Sequence, residues 1–61
     1  STVNISADPI VQYMSKAQME KIIEITRKLM QEAANKLEFI EAEQYRDELF
    51  KLEDLMKEKL G

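Results

Sequence analysis

Residues 33–49, AANKLEFIEAEQYRDEL, join two amphipathic patterns and decide the fold. From Met19 into the start of this stretch, the residues of one face recur at spacings of four and three, which is the period of an α-helix. A second repeat with the same period follows. Because the connection between them is short, the sequence predicts an all-α fold, an antiparallel helix-loop-helix or two-helix coiled coil. The first repeat consists of Met19, Ile23, Thr26, Met30, Ala33 and Leu37, and the second of Ala42, Tyr45, Leu49, Leu52, Met56 and Leu60.

The start of the first helix and the end of the second carry recognisable signals. Ser15 and Gln18 have the spacing of a capping box, so we expect the first helix over residues 16–36. In the second helix, acidic residues come first, and Lys57 and Lys59 come last, as the helix dipole favours. The sequence therefore predicts a helix-loop-helix domain over residues 15–60.

The first fourteen residues have a different composition. They begin with small, polar and β-branched residues, and Asp8-Pro9 favours a short helical turn that ends at Tyr13. We predict a linker or tether over residues 1–14. A start at Ser1 without Met suggests that the chain is a piece of a larger protein.

The small size of the chain predicts that it needs a partner. A chain of 61 residues buries only about 60% of its unfolded surface. The sequence has neither Cys nor His, so disulfides and the usual zinc sites cannot stabilise it. The remaining route is association, and we expect a dimer. No signal peptide is visible, and no apolar run approaches the ~20 residues of a membrane span, so we predict a cytoplasmic chain.

Composition also excludes several classes of function. Without His or Cys there is no conventional catalytic triad, thiolate nucleophile or zinc set, so we predict no enzyme activity, no metal and no cofactor. The net charge is −3, and residues 37–61 hold eight acidic and four basic groups, which disfavours direct binding to nucleic acid. The polar faces mix both signs, which disfavours membrane binding. An interaction surface is the function class that remains.

Two interpretations are open for the apolar residues of the turn. Phe39 and Ile40 are neighbours, and neighbours on a helix point about 100° apart, so both cannot face the same partner helix. Either Phe39 closes the end of the core and Ile40 is a single exposed residue, or the two form an apolar contact patch. Arg46 is likewise either a solvated surface residue or a residue at the rim of that patch. The methionines of the stripe are assigned to the core.

The order of residues in 33–49 resembles the UVR domain. The shared pieces are Ala33-Ala34, Leu37-Glu38-Phe39, Glu41-Ala42, and Arg46-Asp47 followed by an apolar position, and the resemblance extends over roughly residues 15–56. Ile40 stands where this family commonly has an acidic residue, and Glu43 stands where it commonly has Ala. The resemblance is strongest to the UVR domain at the C-terminus of the B component of excinuclease ABC.

The resemblance implies a non-catalytic interaction module of DNA repair. Such a domain is expected to self-associate, and to recruit the nuclease, which is the C component of excinuclease ABC, through a homologous segment during nucleotide excision repair and the SOS response. The parent B component would be a DNA-dependent ATPase. Two alternatives stay open, an adaptor segment of a Clp-type ATPase or kinase activator and a purely structural dimerisation element. The predicted partner-binding residues are Leu37, Phe39, Ile40, Ala42 and Arg46.

Overall fold

Two long helices pack against each other as a hairpin. The computed structural model describes residues 5–60, Leu60 by its backbone alone. Helix α1 is Lys16–Asn35 and helix α2 is Phe39–Leu60, preceded by two short 3₁₀-helices, Ile5–Ala7 and Pro9–Tyr13. The predicted all-α helical hairpin is confirmed.

Helix α1 begins where the sequence predicts. The backbone N–H of Gln18 donates to Ser15 Oγ at 3.2 Å, and the N–H of Ser15 donates to Gln18 Oε1 at 2.9 Å. This reciprocal pair satisfies two amide groups that would otherwise lack a partner at the helix start. The predicted capping box is therefore confirmed, and the helix ends at Asn35, one residue before the predicted end.

The turn between the helices is a Schellman motif with an unusual residue at its centre. The N–H of Glu38 donates to the carbonyl of Ala33 at 2.8 Å, and the N–H of Leu37 donates to that of Ala34 at 3.0 Å. Leu37 has a φ of 62°, the left-handed region that glycine normally occupies at this position. Assigning Leu37 to the apolar face of α1 was therefore wrong, because α1 ends at Asn35, before Leu37, and the Leu37 side chain is exposed.

The core lies toward the open end of the hairpin, away from the turn. In the core, residues of α1 pack against residues of α2, as the two predicted stripes require. The exception is Val11, which comes from the 3₁₀-helix Pro9–Tyr13. Met19 is fully buried, and Met30 and Met56 pack at the edge, which confirms the core assignment of the methionines. The five buried members are Val11, Met19, Ile23, Leu49 and Leu52.

Residues 5–14 pack against the hairpin, and we call this segment the strap. Asp8 caps the second 3₁₀-helix by accepting from the N–H of Ile10 at 3.0 Å, as the Asp8-Pro9 pair predicts. Val11 is buried in the core, and Ile5 packs against it. The predicted boundary at residue 15 stays a prediction, but the described part of the predicted linker is folded onto α2. Residues 1–4 lie outside the described residues.

Ion pairs contribute little to this fold. In residues 5–60, Arg27 lies 3.6 Å from Glu53 across the helices, and both side chains are close to half exposed. Exposed pairs of this kind are worth about 0–1 kcal/mol. Apolar burial, rather than the opposite charge of the two helices, therefore supplies most of the stability.

We accordingly expect the fold to tolerate salt. In 1 M NaCl the Debye length falls to about 3 Å, which screens exposed pairs. The thermal midpoint should then change by less than about 4–8 °C, the shift expected for 1 kcal/mol in a domain of this size. Circular dichroism melts with and without salt test this. Loss of helicity at 1 M NaCl would show instead that ion pairs hold the hairpin together.

Candidate docking surface at the turn

An open groove of about 440 Å³ runs between the helices beside the turn. Ala34 and Ala42 line it, and their small side chains leave space between longer neighbours. Phe39 and Met30 contribute apolar side chains to the lining, and Arg46 contributes a charged one. The groove is lined by Met30, Gln31, Ala34, Asn35, Phe39, Ala42, Glu43 and Arg46.

Three large apolar side chains are exposed at the tip of the hairpin. The exposed fractions are 71% for Leu37, 61% for Phe39 and 75% for Ile40. They line a second depression together with Glu38 and Glu41. Phe39 borders both depressions, so the tip and the groove form one continuous surface, which we call the turn surface.

The structure decides between the two interpretations of Phe39. With 61% of its surface exposed, Phe39 does not close the end of the core, so that interpretation is wrong. The exposure of Ile40 fits both interpretations and decides nothing. Contiguous apolar exposure is typical of an interaction site, whereas single exposed apolar residues are common on any surface.

The five predicted partner-binding residues all lie on the turn surface. Phe39, Ala42 and Arg46 line the groove, and Leu37 and Ile40 lie at the tip beside Phe39. The backbone explains this grouping. The left-handed conformation of Leu37 turns the chain at once into α2, so both sides of the turn contribute to one end of the hairpin. Their role in binding stays a prediction.

Arg46 is held by two weak ion pairs. Its guanidinium lies 3.7 Å from Glu43 Oε1 and 3.6 Å from Asp47 Oδ1, and half of its side chain is exposed. Because exposed pairs contribute little, a partner carboxylate can replace one of them at small cost. Glu43 lines the groove with its side chain 67% exposed, so its charge is not buried between the helices.

Sequence analysis missed the α1 side of the groove. Met30 was assigned to the core alone, although it also lines the groove, and Gln31, Ala34 and Asn35 were not predicted as site residues. A signal was available for Ala34, because it follows Met30 by four residues and so shares a helix face with it. The polar neighbours carry no such signal in the sequence.

Residues 20–55 match the UVR family, described as the UvrB/uvrC motif. The chain belongs to this family. It is 84% identical over its full length to UvrABC system protein B of Bacteroides thetaiotaomicron, and 80% identical over 97% of its length to that of Bacteroides fragilis. The protein of the same name from Cytophaga hutchinsonii is 39% identical over 92% of the chain. No solved structure matches the chain.

The UVR match covers the entire turn surface and leaves the strap outside. The chain spans only 9% of the length of the Bacteroides proteins, and 8% of that of the Cytophaga protein.

None of the helices in residues 5–60 is long and apolar enough to cross a membrane.

The left-handed conformation of Leu37 predicts that replacing it with Gly raises the stability of the chain and weakens its binding to a partner. The left-handed region costs an L-residue about 1–2 kcal/mol, and Gly avoids this cost but loses roughly 0.5–1 kcal/mol through its flexible unfolded state. Leu37→Gly should therefore raise the thermal midpoint, by up to about 4–8 °C for a net gain of 1 kcal/mol. It should also weaken binding at the turn surface.

Leu37→Ala is the matched control, because it removes the same exposed side chain but keeps the backbone penalty. Circular dichroism melts of both variants separate the two effects. A gain in Leu37→Ala as large as in Leu37→Gly would contradict the backbone explanation.

Proposed function

We propose that this chain is a protein-protein interaction module of nucleotide excision repair, which acts in the cytoplasm and recruits the C component of excinuclease ABC. The observation that carries the proposal is the continuous, exposed apolar turn surface. It lies inside the residues that match the UVR family, and that family's description names both UvrB and uvrC. The names of the relatives favour excision repair over an adaptor of a Clp-type ATPase.

The turn surface is suited to binding because its backbone is ordered before a partner arrives. The Schellman hydrogen bonds fix Leu37, and α2 begins at Phe39, so the anchors require little ordering on binding. Large side chains in such positions are the usual energetic centre of an interface. The turn surface thus supplies apolar contact area, and Arg46 at its rim orients a carboxylate of the partner.

The same surface also supports self-association. In a symmetric dimer, one patch faces a copy of itself, and the exposed apolar side chains Leu37, Phe39 and Ile40 supply a self-complementary contact at the tip. We therefore expect a homodimer whose formation competes with the binding of uvrC. Sedimentation equilibrium of the 61-residue chain tests this expectation. A folded monomer from micromolar to millimolar concentration would exclude dimerisation.

Titration calorimetry tests recruitment directly. The chain is titrated with the UVR segment of uvrC from Bacteroides thetaiotaomicron, the source of the relative that is 84% identical, and dilution of each component into buffer gives the background. We expect saturable binding with one hairpin for each segment. The negative change in heat capacity that marks burial of apolar surface should accompany it. If titration gives only dilution heats while the chain self-associates, the hairpin is a structural dimerisation element and the proposal fails.

A further inference from the structure

The strap, residues 5–14, is attached to the hairpin by few contacts. Its apolar anchor is Val11, which is 2% exposed and reaches the core, whereas its neighbour Ile10 is 65% exposed. Ile5 and Met14 are only partly buried. Val11 is therefore the one fully buried apolar side chain in residues 5–14, and Ile5 and Met14 add partial burial.

Two polar contacts fasten the strap at its ends. The Ser6 hydroxyl donates to the carboxylate of Glu48, a residue that is almost completely buried on α2. At the other end, Lys59 Nζ donates to the carbonyl oxygens of Gln12 at 2.6 Å and Met14 at 2.9 Å. The Lys59 bonds are exposed and are replaced by bonds to water when the strap leaves, whereas the Ser6–Glu48 bond is partly buried and its loss is the main polar cost of release.

The local structure of the strap is also weak. It consists of 3₁₀-helices of three and five residues, a conformation with poorer hydrogen-bond geometry than the α-helix. Two of its backbone bonds are long, at 3.2 Å from Asp8 to Ile5 and 3.3 Å from Met14 to Val11. Segments with few buried contacts open at a lower free energy than the whole domain.

We propose that the strap is a releasable latch, which detaches from the open end while the α1–α2 hairpin stays folded. Released, its ten residues form a tether that extends by up to about 3.3–3.6 Å for each residue, roughly 35 Å in all. In a longer protein of the UvrABC system protein B kind, release would let the turn surface reach farther from the chain that precedes the strap. This consequence for reach rests on the proposed docking function, but the latch itself does not.

Native-state hydrogen exchange of the 61-residue chain tests the latch. The amides of Val11 and Met14 donate within the strap, and that of Leu52 lies in the core helix. We expect the strap amides to be protected, but to exchange at least about tenfold faster than Leu52 and with little dependence on added denaturant. Equal rates with equal denaturant dependence would overturn the proposal, and so would strap amides without any protection.

Val11→Asp should then hold the latch open, because a carboxylate cannot enter the core unpaired. Its strap amides should exchange at the rate of an unfolded peptide, while Leu52 stays protected and helicity is retained. Ile10→Asp, on the exposed neighbour, is the matched control and should leave strap protection unchanged. Loss of protection at Leu52 together with the strap would show that the strap is inseparable from the fold.

A second pair of variants avoids the core. Lys59→Ala removes the clamp on the strap carbonyls and should speed Met14 exchange several-fold, whereas Lys57→Ala, in the same helical turn, controls for the helix dipole. No difference between the two would count against the latch. Affinity for the uvrC segment should stay within about twofold in Val11→Asp, because Val11 lines neither the groove nor the tip depression. If the proposed docking function is wrong, the unmodified chain will not bind the uvrC segment either, and this result leaves the hydrogen-exchange test of the latch unaffected.

The change in reach is measured with spin labels. The sequence has no Cys, so Ala7→Cys and Glu32→Cys provide two unique labelling sites on the exposed surface. The docked chain should give one narrow distance distribution, and addition of Val11→Asp should give a broad and longer one. An unchanged narrow distribution would overturn the proposed extension.

Discussion

Leu52→Ala should lower the urea midpoint of unfolding more than any other single substitution proposed for this chain. Leu52 is fully buried and packs in the core with Met19, Ile23 and Leu49. Truncating a buried Leu costs about 2–5 kcal/mol, since the cavity adds to the lost transfer free energy. The total stability of 61 residues is only about 3–9 kcal/mol at the usual value for each residue. One substitution therefore removes a large share of the stability.

Urea titrations followed by circular dichroism measure this effect. Ile25→Ala is the control, because Ile25 is an exposed aliphatic residue on the middle of α1. Its midpoint should remain close to that of the unmodified chain. If Leu52→Ala also kept its midpoint, the core would have to lie elsewhere, and the assignment of the packed stripes would be incorrect.

The helices and the core could be predicted because each depends on local and periodic signals. Ser15 and Gln18 form the cap that their spacing indicates, and Met19, Ile23, Leu49 and Leu52 occupy the buried face that the period of the helix requires. Such signals involve residues only a few positions apart. They are therefore visible without any knowledge of tertiary structure.

Leu37 and Val11 could not be placed in the same way. Leu37 continues the apolar period of α1, and nothing local indicates that a Leu will adopt the left-handed conformation where Gly is usual. Val11 is one apolar residue in a segment without periodicity, and its burial depends on contacts with helices that come later in the chain. The partner of Ser6 is Glu48, 42 residues away, and charged residues are rarely buried.

The candidate site was predictable in part for a related reason. Phe39 and Ile40 cannot both face α1, and this geometric conflict alone indicates an exposed apolar group at the turn. The groove, however, also needs residues of α1, and only the packing of the hairpin brings Met30 and Ala34 beside Phe39. The sequence around the turn therefore predicts the α2 side of the turn surface but not the residues that α1 contributes to it.

The two ends of the hairpin are expected to behave differently. At the turn, the bonds of Leu37 and Glu38 to α1 hold the exposed anchors in place, which favours tight and specific contact. At the open end, the strap depends on Val11 and a few polar contacts, which favours release. The proposed docking surface, held rigid at the turn, and the proposed latch at the open end would together let the module contact a partner at different distances.

Phe39→Ala should weaken binding of the uvrC segment by about 30-fold or more. A central aromatic anchor is typically worth at least ~2 kcal/mol, which corresponds to that factor in affinity. Because 61% of Phe39 is already exposed, its removal should change the helicity and the urea midpoint of the chain little. Titration calorimetry and circular dichroism on the same sample measure both quantities.

Phe50→Ala provides the matched control for this prediction. Phe50 is exposed to a similar extent, 54%, also lies on α2, and does not line the groove or the tip depression. Its truncation should leave affinity within about threefold, the scale of a residue outside the energetic centre of an interface. If both variants lose affinity equally, the contact is a diffuse apolar face rather than an anchor at the turn. Full affinity in Phe39→Ala would move the docking site away from the turn surface altogether.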